Sequence, residues 1–357
     1  MRVAAYEKSK SVKLKSISTM TEGTIWRQIL LFSIPLILGN LLQQMYNTVD
    51  SIIVGNFVGS NALAAVGSST SLICLLIAFS MGASAGAGVI VSQFYGAGDE
   101  NGVQRSAHTA LMLALILGIV LTIAGIVFSP AILRWMRTPE EVMNQSVLYL
   151  RIYSYGLVFN VIYNMAAGIL NAVGNSRRSL MYLAVASFSN IFLDYLFMFP
   201  LRMGMSGAAL ATGLSPIISI SICAAHFFTK KNTLRFIPTH PSGRRLFRSC
   251  QLGISAFIGE MSSGITTTVF NFLLLELGGN TAVAAYGVVA NFALVGTAVF
   301  NGIGQGIQPL ASEVYGKSNQ EEKQLIIRRG TLYTAAAALF VTGAVLFFAN
   351  SCVALFN

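Results

Sequence analysis

Long apolar runs alternate with short polar stretches along almost the whole chain. Nine runs reach the roughly 20 residues that a helix needs to cross a bilayer. Gly, Ser and Ala are frequent within them, which favours close helix packing. The pattern predicts an all-α, polytopic membrane protein. The predicted spans are 27–54, 63–94, 107–129, 147–173, 179–200, 207–229, 249–276, 282–313 and 330–355.

The stretch from about Phe32 to Glu100 returns, without a gap, 220 positions further along the chain (259 − 39 for the first pair below). Such an internal repeat in a membrane chain is typical of secondary transporters, in which two related halves move about a central site. The matched pairs include Gly39 with Gly259, Gly82 with Gly302, Gly86 with Gly306, Tyr95 with Tyr315 and Gly96 with Gly316.

Composition supports the membrane class. Of the 357 residues, 54% are hydrophobic and only 10% are charged, whereas a soluble domain is roughly 25% charged. The four cysteines have neither metal-ligand spacing nor a disulfide framework. The chain up to Thr24 is polar and basic without an apolar core, so we expect no cleavable signal peptide.

Basic residues indicate the orientation. Loops on one side of the predicted membrane carry 19 of the 23 Lys and Arg residues, and basic loops stay in the cytoplasm. We therefore expect a cytoplasmic N-terminus in the inner (plasma) membrane of the cell. The same asymmetry explains the net charge of +10, so membrane lipid is an expected partner and nucleic acid is not.

The repeat and the loops divide the chain into two unequal lobes. We predict a cytoplasmic N-terminal segment (1–26), an N-lobe of six helices (27–229), a basic cytoplasmic linker (230–248) and a partial C-lobe of three helices (249–357). Six helices separate the two copies, and an even number makes them parallel, related by a pseudo-twofold axis along the membrane normal. The counterpart of helices four to six would occupy about 360–449, which lies past Asn357.

Three acidic residues fall inside the predicted spans: Asp50, Asp194 and Glu260. An ionisable group at such depth costs at least ~2.5–3.5 kcal/mol and is rare without a use. The remaining acids, including Glu276 and Glu313 at helix ends, are expected to be solvated or interfacial.

Asp50 and Asp194 are expected at the same depth. Asp50 follows Arg27 along the first predicted span, and Asp194 follows Arg178 along the fifth. Because a helix rises by about 1.5 Å per residue, both carboxylates reach the outer half of the membrane. Thr212 begins the sixth helix, which descends from the outer side, and so lies near the same level.

Further polar groups lie within a turn of this pair. Asn190 is one turn from Asp194 on the same helix face, and Tyr46 and Asn47 are about one turn from Asp50. Oxygen donors of this kind suit a proton or a small hard cation such as Na⁺. The sequence therefore predicts a coupling-ion site, with a buried structural hydrogen-bond network as the alternative.

Glu260 and Pro35 each have more than one interpretation. Glu260 lies near mid-membrane, where the repeat pairs it with Asn40. It is either a second proton or cation site, or a counter-charge for cationic substrate, or a neutral glutamate hydrogen-bonded between helices. Pro35 removes a helix hydrogen bond about four turns before Asp50. It is either a hinge that responds to Asp50 or a static kink.

No catalytic pattern is present in the sequence. There is no Gly-x-x-x-x-Gly-Lys-Ser/Thr loop for ATP, no aspartate-rich prenyltransferase motif and no His-x-x-x-His metal pair. We therefore expect no enzyme activity, no cofactor and no metal beyond Na⁺, with H⁺ or Na⁺ as the coupling ion.

Three stretches resemble the multidrug and toxic compound extrusion (MATE) transporters. They are 35–59 (PLILGNLLQQMYNTVDSIIVGNFVG), 168–179 (GILNAVGNSRRS) and 190–212, which contains NIFLDYLF and GAALAT. The resemblance runs from about Thr21 to the C-terminus, and GEMSSG around Glu260 is most like the branch that contains MepA-type exporters. It implies a two-lobe bundle of twelve helices, of which nine are seen here. We therefore expect C-terminal truncation, with a homodimer or a complementing fragment as partner.

The resemblance also implies roles for individual residues. Pro35 matches the helix-one proline associated with bending, and Glu260 matches a helix-seven acid of the C-lobe. The positions that match the family's H⁺ or Na⁺ binding residues are Asp50, Asn190, Asp194 and Thr212.

The sequence as a whole predicts a secondary antiporter that exports small organic, often cationic, compounds in exchange for H⁺ or Na⁺. One alternative is a lipid-linked oligosaccharide flippase of the same superfamily, although the intramembrane charges are acidic rather than basic. Another alternative is a non-transporting membrane scaffold left by truncation.

Overall fold

The computed structural model describes residues 24–57, 60–135, 138, 140–227 and 242–347. Within these ranges the chain forms helices and no strands, which confirms the all-α prediction. The helices are α1 (Ile25–Phe57), α2 (Ser60–Gly96), α3 (Glu100–Trp135), α4 (Glu140–Ala172), α5 (Ser176–Met198), α6 (Met205–Phe227), α7 (Gly243–Gly316) and α8 (Gln320–Phe347).

The helices follow the predicted apolar runs, and most of them extend past the ends of those runs. Six of the described helices, α1, α2, α3, α5, α6 and α8, contain segments long and apolar enough to cross a membrane. The protein is therefore a multi-pass membrane protein. Most of the predicted N-terminal segment, residues 230–241 of the predicted linker and residues 348–357 of the predicted C-lobe lie outside the described residues, and α7 already begins at Gly243.

Helix α7 takes the place of two predicted spans, 249–276 and 282–313. Its backbone is helical throughout its 74 residues, yet it doubles back on itself. Phe270 and Tyr286 stack with ring centroids 5.5 Å apart, whereas the same length of straight helix would separate them by about 24 Å. The two predicted antiparallel spans are therefore present as a first arm (243–276) and a second arm (282–316). The expected break in helical backbone between them is absent.

Small residues on α2 hold α4 close in the N-lobe. The Ser84 hydroxyl donates to the Asn164 carbonyl at 2.8 Å, and the Ser92 hydroxyl donates to the Ala172 carbonyl at 3.0 Å. These bonds satisfy hydroxyls that would otherwise be costly away from water. They hold α2 and α4 together at two positions along their contact.

Helices α5 and α6 complete the N-lobe. Gly156 of α4 and Gly213 of α6 bring those two helices into backbone contact, since a Cβ on Gly156 would lie 2.5 Å from the Gly213 Cα. The Ser219 hydroxyl of α6 donates to the Tyr182 carbonyl of α5 at 2.7 Å. This arrangement places α5 between α6 and α1.

Contacts between the lobes follow the internal repeat of the sequence. A Cβ on Gly82 of α2 would lie 2.9 Å from Phe257 in the first arm of α7. A Cβ on Gly302 in the second arm would lie 2.6 Å from Ile37 of α1. Ile37 and Phe257 are themselves equivalent positions of the repeat. The predicted parallel pseudo-twofold relation is therefore present in the structure.

A second pair of contacts at equivalent repeat positions lies where α2 and α7 end. Gly96 lies against the backbone of Glu313, and Gly316 lies against the backbone of Gln93, the repeat equivalent of Glu313. Glu313 is fully buried at this crossing, and its carboxylate pairs with Lys317 at 2.7 Å. The expectation that Glu313 is solvated or interfacial is wrong, because the crossing of α2 and α7 at this end covers it.

Candidate functional site

Two carboxyl groups meet between α1 and α5. Asp50 is 9% exposed and Asp194 is fully buried, and their side chains lie within hydrogen-bonding reach of each other. No group in the described part of the chain donates a hydrogen bond to Asp50 Oδ1 or to either carboxyl oxygen of Asp194. Two uncompensated buried carboxylates repel each other, so the pair is suited to hold a proton or a cation between its oxygens.

Asn190 adds an amide to the pair. It lies one turn before Asp194 on α5 and is 1% exposed. Neither its amide nitrogen nor its amide oxygen has a hydrogen-bond partner among the described residues, and an unsatisfied buried amide is costly. No cluster of three or more His, Cys, Asp or Glu occurs in the described ranges, so a cation held here would take amide and hydroxyl oxygens as further ligands.

Tyr149 of α4 also lies beside the carboxyl pair, and it is not among the site residues predicted from the sequence. It is buried close to Asp50 and Asp194, and its hydroxyl lies within hydrogen-bonding reach of the Thr212 side chain. The Thr212 hydroxyl donates to the Ala208 carbonyl at 3.0 Å, which leaves its oxygen free to accept from Tyr149. A tyrosine at the outer start of the fourth predicted span was the signal available in the sequence.

Tyr46 and Asn47 differ in their surroundings. Tyr46 lies close to Asp50, and its hydroxyl is within hydrogen-bonding reach of Gln43. The Asn47 side chain is exposed, and its backbone carbonyl accepts the Ser51 hydroxyl at 2.9 Å. The structure therefore brings Tyr46 to the carboxyl pair but leaves the Asn47 side chain outside it.

Glu260 lies in the first arm of α7, apart from the carboxyl pair. It is half-buried and close to Cys74 of α2. Its repeat equivalent, Asn40, donates to the Ala298 carbonyl in the second arm at 3.2 Å. Both positions therefore face the opposite lobe, and only one of the two carries a charge.

A cavity of about 150 Å³ lies between the lobes. Its wall includes Pro35, which is buried, and Gln43, which is half-buried, both of α1. Tyr163 of α4 and Gln308 of α7 also line it. Since Gln43 also reaches Tyr46, one polar side chain borders both the cavity and the surroundings of the carboxyl pair.

Comparisons with known proteins agree with this architecture. The MatE family model matches residues 35–196 and 256–357. The chain is 30% identical over 320 residues to the probable multidrug resistance protein YoeA of Bacillus subtilis (strain 168), and the match covers 87% of this chain and 69% of that protein. It is 25% identical over 307 residues to the multidrug export protein MepA of Staphylococcus haemolyticus, and the match covers 85% of this chain and 68% of that protein.

Among solved structures, the fold is similar to the outward-facing conformation of a multidrug resistance MATE family transporter of the MOP superfamily. The TM-score is 0.87 at 27% sequence identity, and the match covers 95% of this chain and 75% of the other.

Proposed function

The chain belongs to the MatE family of membrane transporters, and we propose that it exports small organic compounds in exchange for H⁺ or Na⁺. The observation that carries this proposal is the buried contact between Asp50 and Asp194, in which Asp50 Oδ1 and both Asp194 carboxyl oxygens lack a hydrogen-bond donor among the described residues. Relatives named multidrug resistance and multidrug export proteins support a broad range of exported compounds. Small organic compounds and membrane lipid are the partners that follow from this role.

The carboxyl pair would act as the ion-coupling element. Without a proton or Na⁺, repulsion between Asp50 and Asp194 opposes the contact between α1 and α5. A bound ion removes that repulsion, and Asn190 and Thr212 offer it further oxygens. An ion that prefers one conformation shifts the protein towards it by the difference in its affinity for the two states.

The cavity would hold one ring-sized part of the exported compound. Gln43 lines it and reaches Tyr46, which lies next to Asp50. A compound that draws Gln43 into the cavity therefore changes the polar surroundings of the carboxyl pair. Through Gln43 and Tyr46, a compound in the cavity and an ion at the carboxyl pair can affect each other. Each can therefore favour a different conformation of the protein.

Pro35 and Glu260 have proposed roles in the movement of the lobes. Pro35 has no N–H to complete the helix ladder of α1, and it lies in the cavity wall. It would act as the hinge through which α1 bends when the carboxyl pair changes charge. Glu260, close to Cys74 of α2, would be a second proton or cation site of the C-lobe.

Orientation follows from the basic residues. We place the N-terminus in the cytoplasm and the protein in the inner membrane, because 19 of the 23 Lys and Arg residues belong to loops on one side.

A partner is proposed for the outer face of the second arm of α7. In the N-lobe, Ser84 donates to the Asn164 carbonyl of α4. At the equivalent position of the repeat, a Cβ placed on Gly304 would meet no described atom within 4 Å. We propose that a second copy of the chain or a complementing fragment equivalent to α4–α6 covers this face.

The cavity also bears on the flippase alternative. No Lys or Arg occurs among its described lining residues, so the wall has no cation to bind a pyrophosphate. A transport measurement tests the scaffold alternative, because a scaffold would move no compound across the membrane.

Reconstituted liposomes test the proposal. The purified protein is placed in liposomes with an imposed pH gradient, an imposed Na⁺ gradient or no gradient, each with and without ATP. We expect ethidium to move only under one of the ion gradients, with no effect of ATP. Movement that needs ATP and ignores both gradients would contradict antiport, and no movement under any gradient would favour the scaffold.

A further inference from the structure

The wall of the cavity between the lobes is rich in carboxamide side chains. No charged side chain occurs among its described lining residues. Its volume of about 150 Å³ is that of a cavity known to accept a single aromatic ring. Six amides from α1, α4 and α7 line it, so that both lobes contribute: Asn40, Gln43, Asn164, Asn171, Gln305 and Gln308.

Two of these amides are oriented by backbone groups of other helices. Asn40 Nδ2 donates to the Ala298 carbonyl at 3.2 Å, and Gln308 Nε2 donates to the Ala85 carbonyl at 3.2 Å. Because a carbonyl can only accept, the nitrogen end of each amide must face the protein. The oxygen ends of both side chains therefore remain to accept hydrogen bonds from a molecule in the cavity.

The α4 amides add to this polarity. Asn164 Nδ2 donates to Asn160 Oδ1 at 2.8 Å and to Ser80 Oγ at 3.2 Å, so its nitrogen end is also engaged by the protein. Asn171 Oδ1 is buried without a hydrogen-bond partner in the described structure. The cavity thus presents several amide oxygens to its contents.

Amide oxygens select for hydrogen-bond donors but supply no full negative charge. An organic cation that enters this cavity would exchange part of its hydration for amide dipoles, and an unpaired charge is far more costly to bury than a neutral polar group. The acids that could compensate it, Asp50, Asp194 and Glu260, are not among the described lining residues. A neutral ring with N–H or O–H donors avoids this cost and satisfies the amide oxygens.

We infer that the cavity binds an uncharged, ring-sized group with N–H or O–H donors, such as a primary amide on a heteroaromatic ring, in preference to an organic cation. This rests on the proposed function only in taking the bound compound as cargo. It departs from the sequence-based expectation that the exported compounds are often cationic.

A matched pair of probes tests the inference. Nicotinamide is neutral, and 1-methylnicotinamide has the same ring and amide with a fixed positive charge. Binding of each radiolabelled probe to the purified protein is measured by equilibrium dialysis at neutral pH. We expect nicotinamide to bind at least about tenfold more tightly, because only the cation leaves a charge unpaired. Equal affinity, tighter binding of the cation, or no binding of either probe would overturn the inference.

Variants of Asn171 test whether the probe binds in the cavity. Asn171→Leu removes an amide oxygen that bonds to no described group, so it should weaken nicotinamide binding about tenfold without unfolding the protein. Asn171→Asp adds a carboxylate and should move the preference at least about tenfold towards 1-methylnicotinamide. The control is Gln44→Leu, an amide on α1 next to Gln43 that is absent from the lining, and it should change neither affinity. An unchanged preference in Asn171→Asp would show that the probe binds elsewhere.

The binding result and the proposed antiport can fail separately. If nicotinamide binds as expected but no ion gradient drives transport in liposomes, the site stands and the antiport role fails. If gradients drive ethidium transport but the protein prefers the cationic probe, antiport stands and the inferred ligand class is wrong.

Discussion

Asp50 and Asp194 lie within hydrogen-bonding reach of each other although they are 144 positions apart in the sequence (194 − 50). One is on α1 and the other on α5, and Tyr149 beside them comes from α4. Since Thr212 of α6 reaches Tyr149, four helices of the N-lobe supply one site, while the cavity draws on both lobes. A separate ion site within one lobe and a shared cavity between lobes are suited to a transporter that changes the angle between its lobes.

We expect Asp50→Asn and Asp194→Asn each to reduce ethidium efflux from cells to the level of a vector control. Asparagine keeps the shape of the side chain but can neither exchange a proton nor neutralise a cation. Efflux is compared at equal protein level in the membrane. Glu141→Gln, which neutralises an exposed acid at the start of α4, is the control and should retain efflux. Normal efflux in either aspartate variant would remove the pair from the mechanism.

Tyr149→Phe should lower efflux several-fold while leaving the protein folded. The change removes only the hydroxyl that reaches Thr212 beside the carboxyl pair, a hydrogen bond of about 0.5–1.5 kcal/mol. Tyr155→Phe on the same helix is the matched control, because Tyr155 is 65% exposed. Initial efflux rates at several ion gradients provide the measurement. Equal loss in both variants would point to a general effect on α4.

Gly302→Ala should destabilise the protein, whereas Gly304→Ala should not. A Cβ at Gly302 would lie 2.7 Å from the Ile37 Cα and 2.8 Å from its nitrogen, whereas one at Gly304 meets no described atom within 4 Å. Overpacking of this kind costs about 1–3 kcal/mol, while alanine in an open helix position gains up to about 1 kcal/mol. Thermal unfolding of the detergent-purified variants measures the difference.

The same position reports on the proposed partner. Gly304→Leu should leave the isolated chain as stable as wild type but reduce its association with a second copy or a complementing fragment, because leucine fills the face that the partner covers. Co-purification of two differently tagged copies measures the association. Unchanged association would mean that this face contacts lipid.

Lys317→Met should destabilise the protein by roughly 1–3 kcal/mol, less than a fully buried pair would give because Lys317 is partly exposed. It removes the cation that pairs with the Glu313 carboxylate at the crossing of α2 and α7. Adding Glu313→Gln should recover most of the loss, because the buried charge is then gone. Chemical unfolding of the single and double variants gives the coupling energy. Additive losses would show that the two side chains act independently.

Ser242→Cys should be accessible only from the cytoplasm. In a variant whose four natural cysteines are replaced by serine, an impermeant thiol reagent should label position 242 only after cells are permeabilised. Leu201→Cys, between α5 and α6, is the opposite control and should react in intact cells. Labelling at position 242 in intact cells would invert the orientation derived from the basic residues.

Local polarity predicted much of the fold. Each helix can be read from its own apolar run, because a backbone in lipid must satisfy its hydrogen bonds within the helix. The internal repeat predicted the parallel pseudo-twofold relation, and the contacts of Gly82 with Phe257 and of Gly302 with Ile37 follow it. Even the reversal of α7 between Phe270 and Tyr286 agrees with the two predicted spans.

The depth of the site was also within reach of the sequence. Counting along the helices from Arg27 and Arg178 placed Asp50 and Asp194 at one level, because the rise of a helix is constant. Depth alone cannot show that two side chains touch. That also requires the rotation of α1 and α5 about their axes, which their packing against neighbouring helices decides.

Polarity and spacing along one chain are therefore enough to predict the membrane class, the course of the helices, the parallel repeat and the common level of Asp50 and Asp194. Three other features emerged only when the helices were packed: Tyr149 faces the carboxyl pair, Glu313 is buried at a helix crossing, and amides of both lobes line one cavity. These features depend on which faces of distant helices meet. Close packing of small side chains sets those faces, and it leaves no periodic signal in the sequence.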